Sequence, residues 1–61
     1  MEILIIGLGS MGLKHAKNVV SLGHSVIGVD TIKKARDSFE EEFKVKSYKD
    51  IESALKEHPT V

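Results

Sequence analysis

Gly7, Gly9 and Gly12 fall in the run Gly7-Leu8-Gly9-Ser10-Met11-Gly12, directly after the apolar stretch Ile3-Leu4-Ile5-Ile6. Asp30 stands eighteen residues past the last of these glycines. Residues of these types at this spacing could hold a pyrophosphate and a sugar. Gly7 permits a tight turn out of a strand, Gly9 leaves backbone open to a pyrophosphate, and Gly12 lets a helix pack close to a sheet. The N–H groups of Ser10 and Met11 would begin that helix, where donors lack intrahelical acceptors and can receive an anion. A carboxylate such as Asp30, ending a second strand, can accept hydrogen bonds from the ribose hydroxyls of an adenosine. The candidate cofactor-binding residues are therefore Gly7, Leu8, Gly9, Ser10, Met11, Gly12, Asp30 and Thr31. The cofactor they point to is NAD rather than NADP, because a carboxylate at Asp30 would repel a 2′-phosphate. The plainer readings are a ligand-free turn and a helix-capping aspartate. The order strand, triplet, helix, strand, acid favours the dinucleotide.

The elements that must position these residues can be read in turn. A strand is expected over Glu2–Ile6, apolar on consecutive positions as a strand covered on both faces should be. A helix from residue 10 or 11 to 22 would bury Gly12, Ala16, Val19 and Gly23 and turn Lys14, Lys17, Asn18 and Ser21 to water, with Gly23 as its left-handed end. The second strand spans residues 25–30. Within it Gly28 marks a close approach, by a ligand or by a packed helix. The second helix, over residues 32–43, has the apolar stripe Ile32, Ala35, Phe39 and Phe43. Its charges run against the helix dipole, with Lys33, Lys34 and Arg36 first and Glu40, Glu41 and Glu42 last. A solvated face explains them, with Lys33 and Lys34 pointing to water; a basic rim beside a phosphate is the alternative. A short third strand at residues 44–46 precedes a capping box of Ser47 and Asp50. Ile51, Ala54 and Leu55 then face inward from a third helix, which Pro59 stops at or before His58. The expected fold class is α/β, the first half of a Rossmann doubly wound parallel sheet, β-α-β-α-β-α.

Sixty-one residues form one small domain at most. Three strands are half of the six in a full dinucleotide fold. Thr60-Val61 therefore reads as the entry to a fourth strand, with the rest of the domain and a substrate domain expected beyond. Nine basic and nine acidic side chains balance, which gives no argument for a nucleic-acid partner. Cysteine is absent, so disulfides and thiolate metal sites are excluded. The four-residue apolar run is too short for a signal peptide or membrane span, so a cytoplasmic chain without membrane contact is expected.

No catalytic residue is evident, and no metal site. His15 lies beside the apolar stripe of the first helix and reads as a structural residue held away from the nicotinamide. His24 reads as a loop residue, and His58 has no evident partner. The chain alone is expected to bind a dinucleotide without catalysing a reaction.

Gly7-Leu8-Gly9-Ser10-Met11-Gly12-Leu13-Lys14-His15, with residues 45–55 and His58-Pro59-Thr60-Val61, resembles the start of the glucose–fructose oxidoreductase and inositol dehydrogenase family (Gfo/Idh/MocA). That resemblance implies hydride transfer between a nicotinamide cofactor and a sugar, cyclitol or related small-molecule carbonyl or alcohol. The catalytic lysine would lie beyond Val61, and the full enzyme is expected to be a homo-oligomer. The glycine run with Ala16, Asn18 and Leu22-Gly23-His24 also looks like the β-hydroxyacid dehydrogenases. A third resemblance is to the non-enzymatic nucleotide-sensing domains that regulate potassium channels. These share the glycine turn, a Gly-His pair before the second strand and an acid at its end.

Overall fold

β1 (Glu2–Ile6), α1 (Ser10–Ser21), β2 (Ser25–Val29), α2 (Lys33–Phe43), β3 (Ser47–Tyr48) and α3 (Ile51–Glu57) follow one another in a computed structural model that describes residues 1–60. The strands are parallel and lie in the order β1-β2-β3, with Ile6 opposite Val29 and Val29 opposite Tyr48. Parallel neighbours need a crossover, and α1 and α2 supply the two required here. The architecture is α/β and matches one half of a Rossmann sheet. Val61, half of the expected fourth-strand entry, lies outside the described residues, and Thr60 sits in a turn.

Alternation along β2 divides the core. Val26 packs with Leu8, Ala16 and Phe39 on the face covered by α1 and α2, whereas Ile27 and Val29 pack with Tyr48 and Ala54 under α3. Successive strand side chains point to opposite faces, so one five-residue strand serves both clusters. Gly28 points to the first face. A β-carbon there would stand 2.7 Å from the Phe39 ring and 2.8 Å from a Leu8 methyl group. The close approach expected at Gly28 is thus helix packing rather than ligand.

Helix ends account for most boundaries. Gly23, at φ +90°, follows α1; its N–H donates to the Val20 carbonyl, and that of His24 to Val19. This pair of bonds is a Schellman motif and satisfies two orphaned carbonyls. Lys44 ends α2 in the left-handed conformation, at φ 57°. That turn displaces the third strand from the expected residues 44–46 to Ser47–Tyr48. A left-handed lysine costs roughly 1–2 kcal/mol relative to glycine, less the extra entropy a glycine loses on folding. Lys44→Gly should therefore stabilise the domain by about 1 kcal/mol and raise its Tm by about 5 °C. An unchanged or lower Tm would contradict this account of the α2 terminus.

The capping box also differs from the expectation. Ser47 lies in β3, and Asp50 is the cap of α3, its Oδ1 accepting the Ser53 N–H at 2.7 Å. Ser47 instead donates both its N–H (2.8 Å) and its hydroxyl (2.7 Å) to Glu40 Oε2, tying α2 to β3. These two donors hold the Glu40 carboxyl below its ordinary pKa. Because the folded pKa lies below the unfolded one, this stabilisation is complete above the ordinary carboxylate range and is lost as pH falls through the folded value. Glu40→Gln keeps an acceptor oxygen but cannot titrate. Its Tm should fall less than that of the native protein between about pH 5 and pH 2. Parallel Tm profiles would show that Glu40 does not contribute.

Two smaller corrections concern apolar and histidine positions. Ile32 is 62% exposed and lies outside the buried stripe of α2, because it is the extended residue that precedes the helix. His58 does have partners, contrary to the sequence reading. Its Nδ1 is 3.1 Å from Glu2 Oε2 and its Nε2 is 3.2 Å from the Tyr48 hydroxyl. The fold brings the start of β1 beside the end of α3, a proximity that sequence distance conceals.

Candidate functional site

The carboxyl ends of β1 and β2 lie side by side, and the glycine run leaves β1 at this edge. Gly7 turns at φ +92° and donates its N–H to the Val29 carbonyl at 2.8 Å. Leu8 then drives its side chain into the core, where it is 1% exposed, while its N–H donates to Asp30 Oδ2 at 2.7 Å. Gly9 is the residue before α1, and no side chain caps the helix there. Leu13 N–H is bonded to the Gly9 carbonyl, so the earlier N–H groups of Ser10, Met11 and Gly12 precede the first bond of the helix. No acidic residue occupies this first turn. These donors, which have no partner within the helix, form a place suited to an anion.

Gly9 and Gly12 differ sharply in their surroundings. A β-carbon at Gly9 would meet nothing within 4 Å, whereas one at Gly12 would stand 1.9 Å from the Gly7 carbonyl oxygen. Gly12 thus allows α1 to close on the turn itself. Ile5, on the sheet, is the more distant neighbour at 3.9 Å.

Asp30 sits one residue past β2, with its backbone N–H bonded to the Tyr48 carbonyl at 3.0 Å. Its second carboxylate oxygen, Oδ1, accepts the Ile32 N–H at 2.8 Å. The Leu8 N–H first, then that of Ile32 and the charge of Arg36, keep this carboxyl below its ordinary pKa, so it is anionic at neutral pH. A carboxylate has about four acceptor positions. With one neighbour on each oxygen, Asp30 retains capacity for two hydroxyl donors.

Two clefts meet over Ile6 and Gly7. One, of about 420 Å³, runs past Val29, Asp30 and Thr31 to Lys49, Asp50 and Ile51. The other, of about 470 Å³, extends along Gly9, Ser10, Met11 and Gly12 to His15. Together they bring every sequence-nominated residue except Leu8 to one crevice at a strand-end edge, where open α/β sheets bind ligands. Leu8 lies beneath, its N–H given to Asp30. The sequence reading missed Ile5, Ile6, Val29, Lys49, Asp50 and Ile51 as lining residues. Ile6, 63% exposed at the end of an apolar run, was the available signal; Lys49 and Ile51 reach the crevice only through the placement of β3.

Two charged or titratable positions, His15 and Lys34, need revision. His15 lies on the exposed side of α1 and lines the glycine cleft instead of packing as a structural residue. Lys33 is solvated and paired with Asp37 at 3.0 Å, as its spacing suggests. Lys34 is exposed, but it borders a groove shared with Gly9 and Ser10, so only Lys33 fits the simple solvated-face reading. His24 lies in the loop after α1, as expected. Among the described residues, no three His, Cys, Asp or Glu side chains are placed to hold a metal ion, and no helix is long and apolar enough to cross a membrane.

The parallel sheet, the glycine turn and the strand-end acid together define a dinucleotide-binding domain of the Rossmann class. Residues 2–61 match the family described as the NAD binding domain of 6-phosphogluconate dehydrogenase, and the chain belongs to that family. Its cofactor is accordingly NAD. Neither a curated protein nor a solved structure matches the chain. The family assignment corrects the Gfo/Idh/MocA resemblance, which leaned on His15 and on residues 45–55. In the fold, residues 45 and 46 do not form the strand that resemblance required, and His15 is a surface residue of the cleft.

Proposed function

We propose that this domain holds NAD for a dehydrogenase of the β-hydroxyacid type, the adenosine half lying against Asp30 and the pyrophosphate against the start of α1. The observation that carries the reading is the match of residues 2–61 to the NAD binding domain of 6-phosphogluconate dehydrogenase. The run Gly7 to Gly12, with Ala16, Asn18 and Leu22-Gly23-His24, supports the same class. In this assignment the N–H groups of Ser10, Met11 and Gly12 donate to the pyrophosphate. Gly9 gives it access, and Gly7 and Gly12 hold the turn closed. Asp30 accepts the ribose hydroxyls, with Thr31 beside it at the rim. Ile6, Val29 and Ile51 offer apolar contact to the adenine, in a cleft whose lining is mostly carbon.

Bound NAD supplies the hydride acceptor. The residues on this chain bind and orient it, and none of them is assigned a proton-transfer step. The protein carrying this domain, given NAD and a panel of short 3-hydroxy acids, sugars and cyclitols, should form NADH with a member of the first group. NADH formed only with sugars or cyclitols would contradict the substrate class. NAD binding without turnover of any compound in the panel would leave a cofactor domain and remove the dehydrogenase assignment.

A further inference from the structure

We infer that Asp30 is a positioning residue for the glycine turn as well as an acceptor for ribose, so that one carboxylate couples the sugar and pyrophosphate subsites. This rests on the NAD site proposed above and adds a second role to one of its residues. The turn residues Gly7 and Leu8 are each held from β2 or its exit. Gly7 is held by the Val29 carbonyl (2.8 Å) and Leu8 by Asp30 Oδ2 (2.7 Å). The Leu8 side chain is locked in the core beneath Phe39 and Gly28, so its peptide has little freedom except through that N–H bond. On its other oxygen Asp30 holds Ile32, the extended residue just before α2, at 2.8 Å. The carboxylate thus bridges the loop before α1 and the loop before α2. An Asp30 that served only the ribose would have no need of the Leu8 contact. Its removal would release the turn whose next residue, Gly9, opens onto the anion-binding end of α1.

The two roles separate in a cycle that pairs a protein change with a ligand change. ADP and 2′,3′-dideoxy-ADP are titrated into the native protein, Asp30→Ala and Asp30→Asn, with the Leu8 amide followed by NMR. The dideoxy ligand lacks both hydroxyls, so a purely ribose-binding Asp30 would be silent toward it. The positioning role predicts that Asp30→Ala weakens the dideoxy ligand as well, by roughly tenfold or more, the lower end of the worth of one charge-assisted hydrogen bond. It also predicts a displaced Leu8 amide in the ligand-free variant. Asp30→Asn keeps one acceptor oxygen and should recover part of the dideoxy affinity with a Leu8 shift nearer native. Unchanged dideoxy affinity in both folded variants would overturn the inference while leaving the NAD site intact, as would a Leu8 amide unmoved by Asp30→Ala. A native protein that bound neither nucleotide would instead overturn the site, and the inference with it.

Discussion

Gly12→Val should unfold the domain, whereas Gly9→Val should fold and lose NAD. The two glycines stand three residues apart in one motif, yet their neighbours are opposite. At Gly12 even the first added carbon would lie 1.9 Å from the Gly7 oxygen and 2.9 Å from its carbonyl carbon, and both atoms are backbone. Neither can move unless the turn opens or α1 lifts from it. Overpacking a core costs typically 1–3 kcal/mol and occasionally more. A chain of sixty-one residues has little stability beyond that. Gly9 has φ −71°, a value open to any residue, and empty space where its side chain would point. Valine there would occupy the approach to the N–H groups at the start of α1. A loss of roughly a hundredfold or more in NAD affinity is expected, equivalent to about 2.7 kcal/mol. Thermal melts and NAD titrations of both variants decide the matter. Equal losses of Tm would contradict the division of roles, as would a Gly9→Val protein with native affinity.

NAD should bind more tightly than NADP, by roughly tenfold or more, and Asp30→Ala should erase most of the difference. The physical cause is the fixed negative charge of Asp30. Two backbone donors and Arg36 keep its carboxyl ionised, so it cannot escape a 2′-phosphate by taking up a proton near neutral pH. Like charges in close contact are mutually destabilising in a partly desolvated site. Lys33 is engaged with Asp37, which limits its use as a counter-charge. Lys34 borders the Gly9 and Ser10 groove and offsets part of the repulsion, so the preference is finite rather than absolute. Dissociation constants for both cofactors, measured at one ionic strength, test this. Tighter NADP binding by the native protein would contradict it, and so would an unchanged ratio in Asp30→Ala.

The parts of this molecule set by local chemistry were legible in its sequence. Gly23 announced the end of α1, and the order of strand, glycines, helix and Asp30 announced the half-Rossmann sheet and its crevice. The errors came where tertiary contact overrode a local pattern. Ser47 and Asp50 have the spacing of a capping box, but Glu40 from α2 claims Ser47 for β3, leaving Asp50 to cap alone. Lys44 looks like the start of a strand, and a left-handed lysine carries no compositional mark. Ile32 continues the apolar spacing of α2, yet it lies before the helix begins. His58 and Glu2 are fifty-six residues apart and meet only because the sheet brings them together. The family resemblance failed for a related reason. It weighed His15 and a third strand at residues 45–46, and neither is part of the shared glycine-turn architecture.

The central claim is that NAD lies across the carboxyl ends of β1 and β2, between the start of α1 and Asp30. Amide-resolved NMR titration of the chain with NAD tests it most directly. The account predicts saturable shifts concentrated at Gly7, Gly9, Ser10, Met11, Gly12, Asp30 and Thr31, reproduced by ADP and absent in Gly9→Val. Shifts centred instead on the polar groove of Ser38, Glu41, Glu42 and Lys44, or no saturable shift at all, would contradict it.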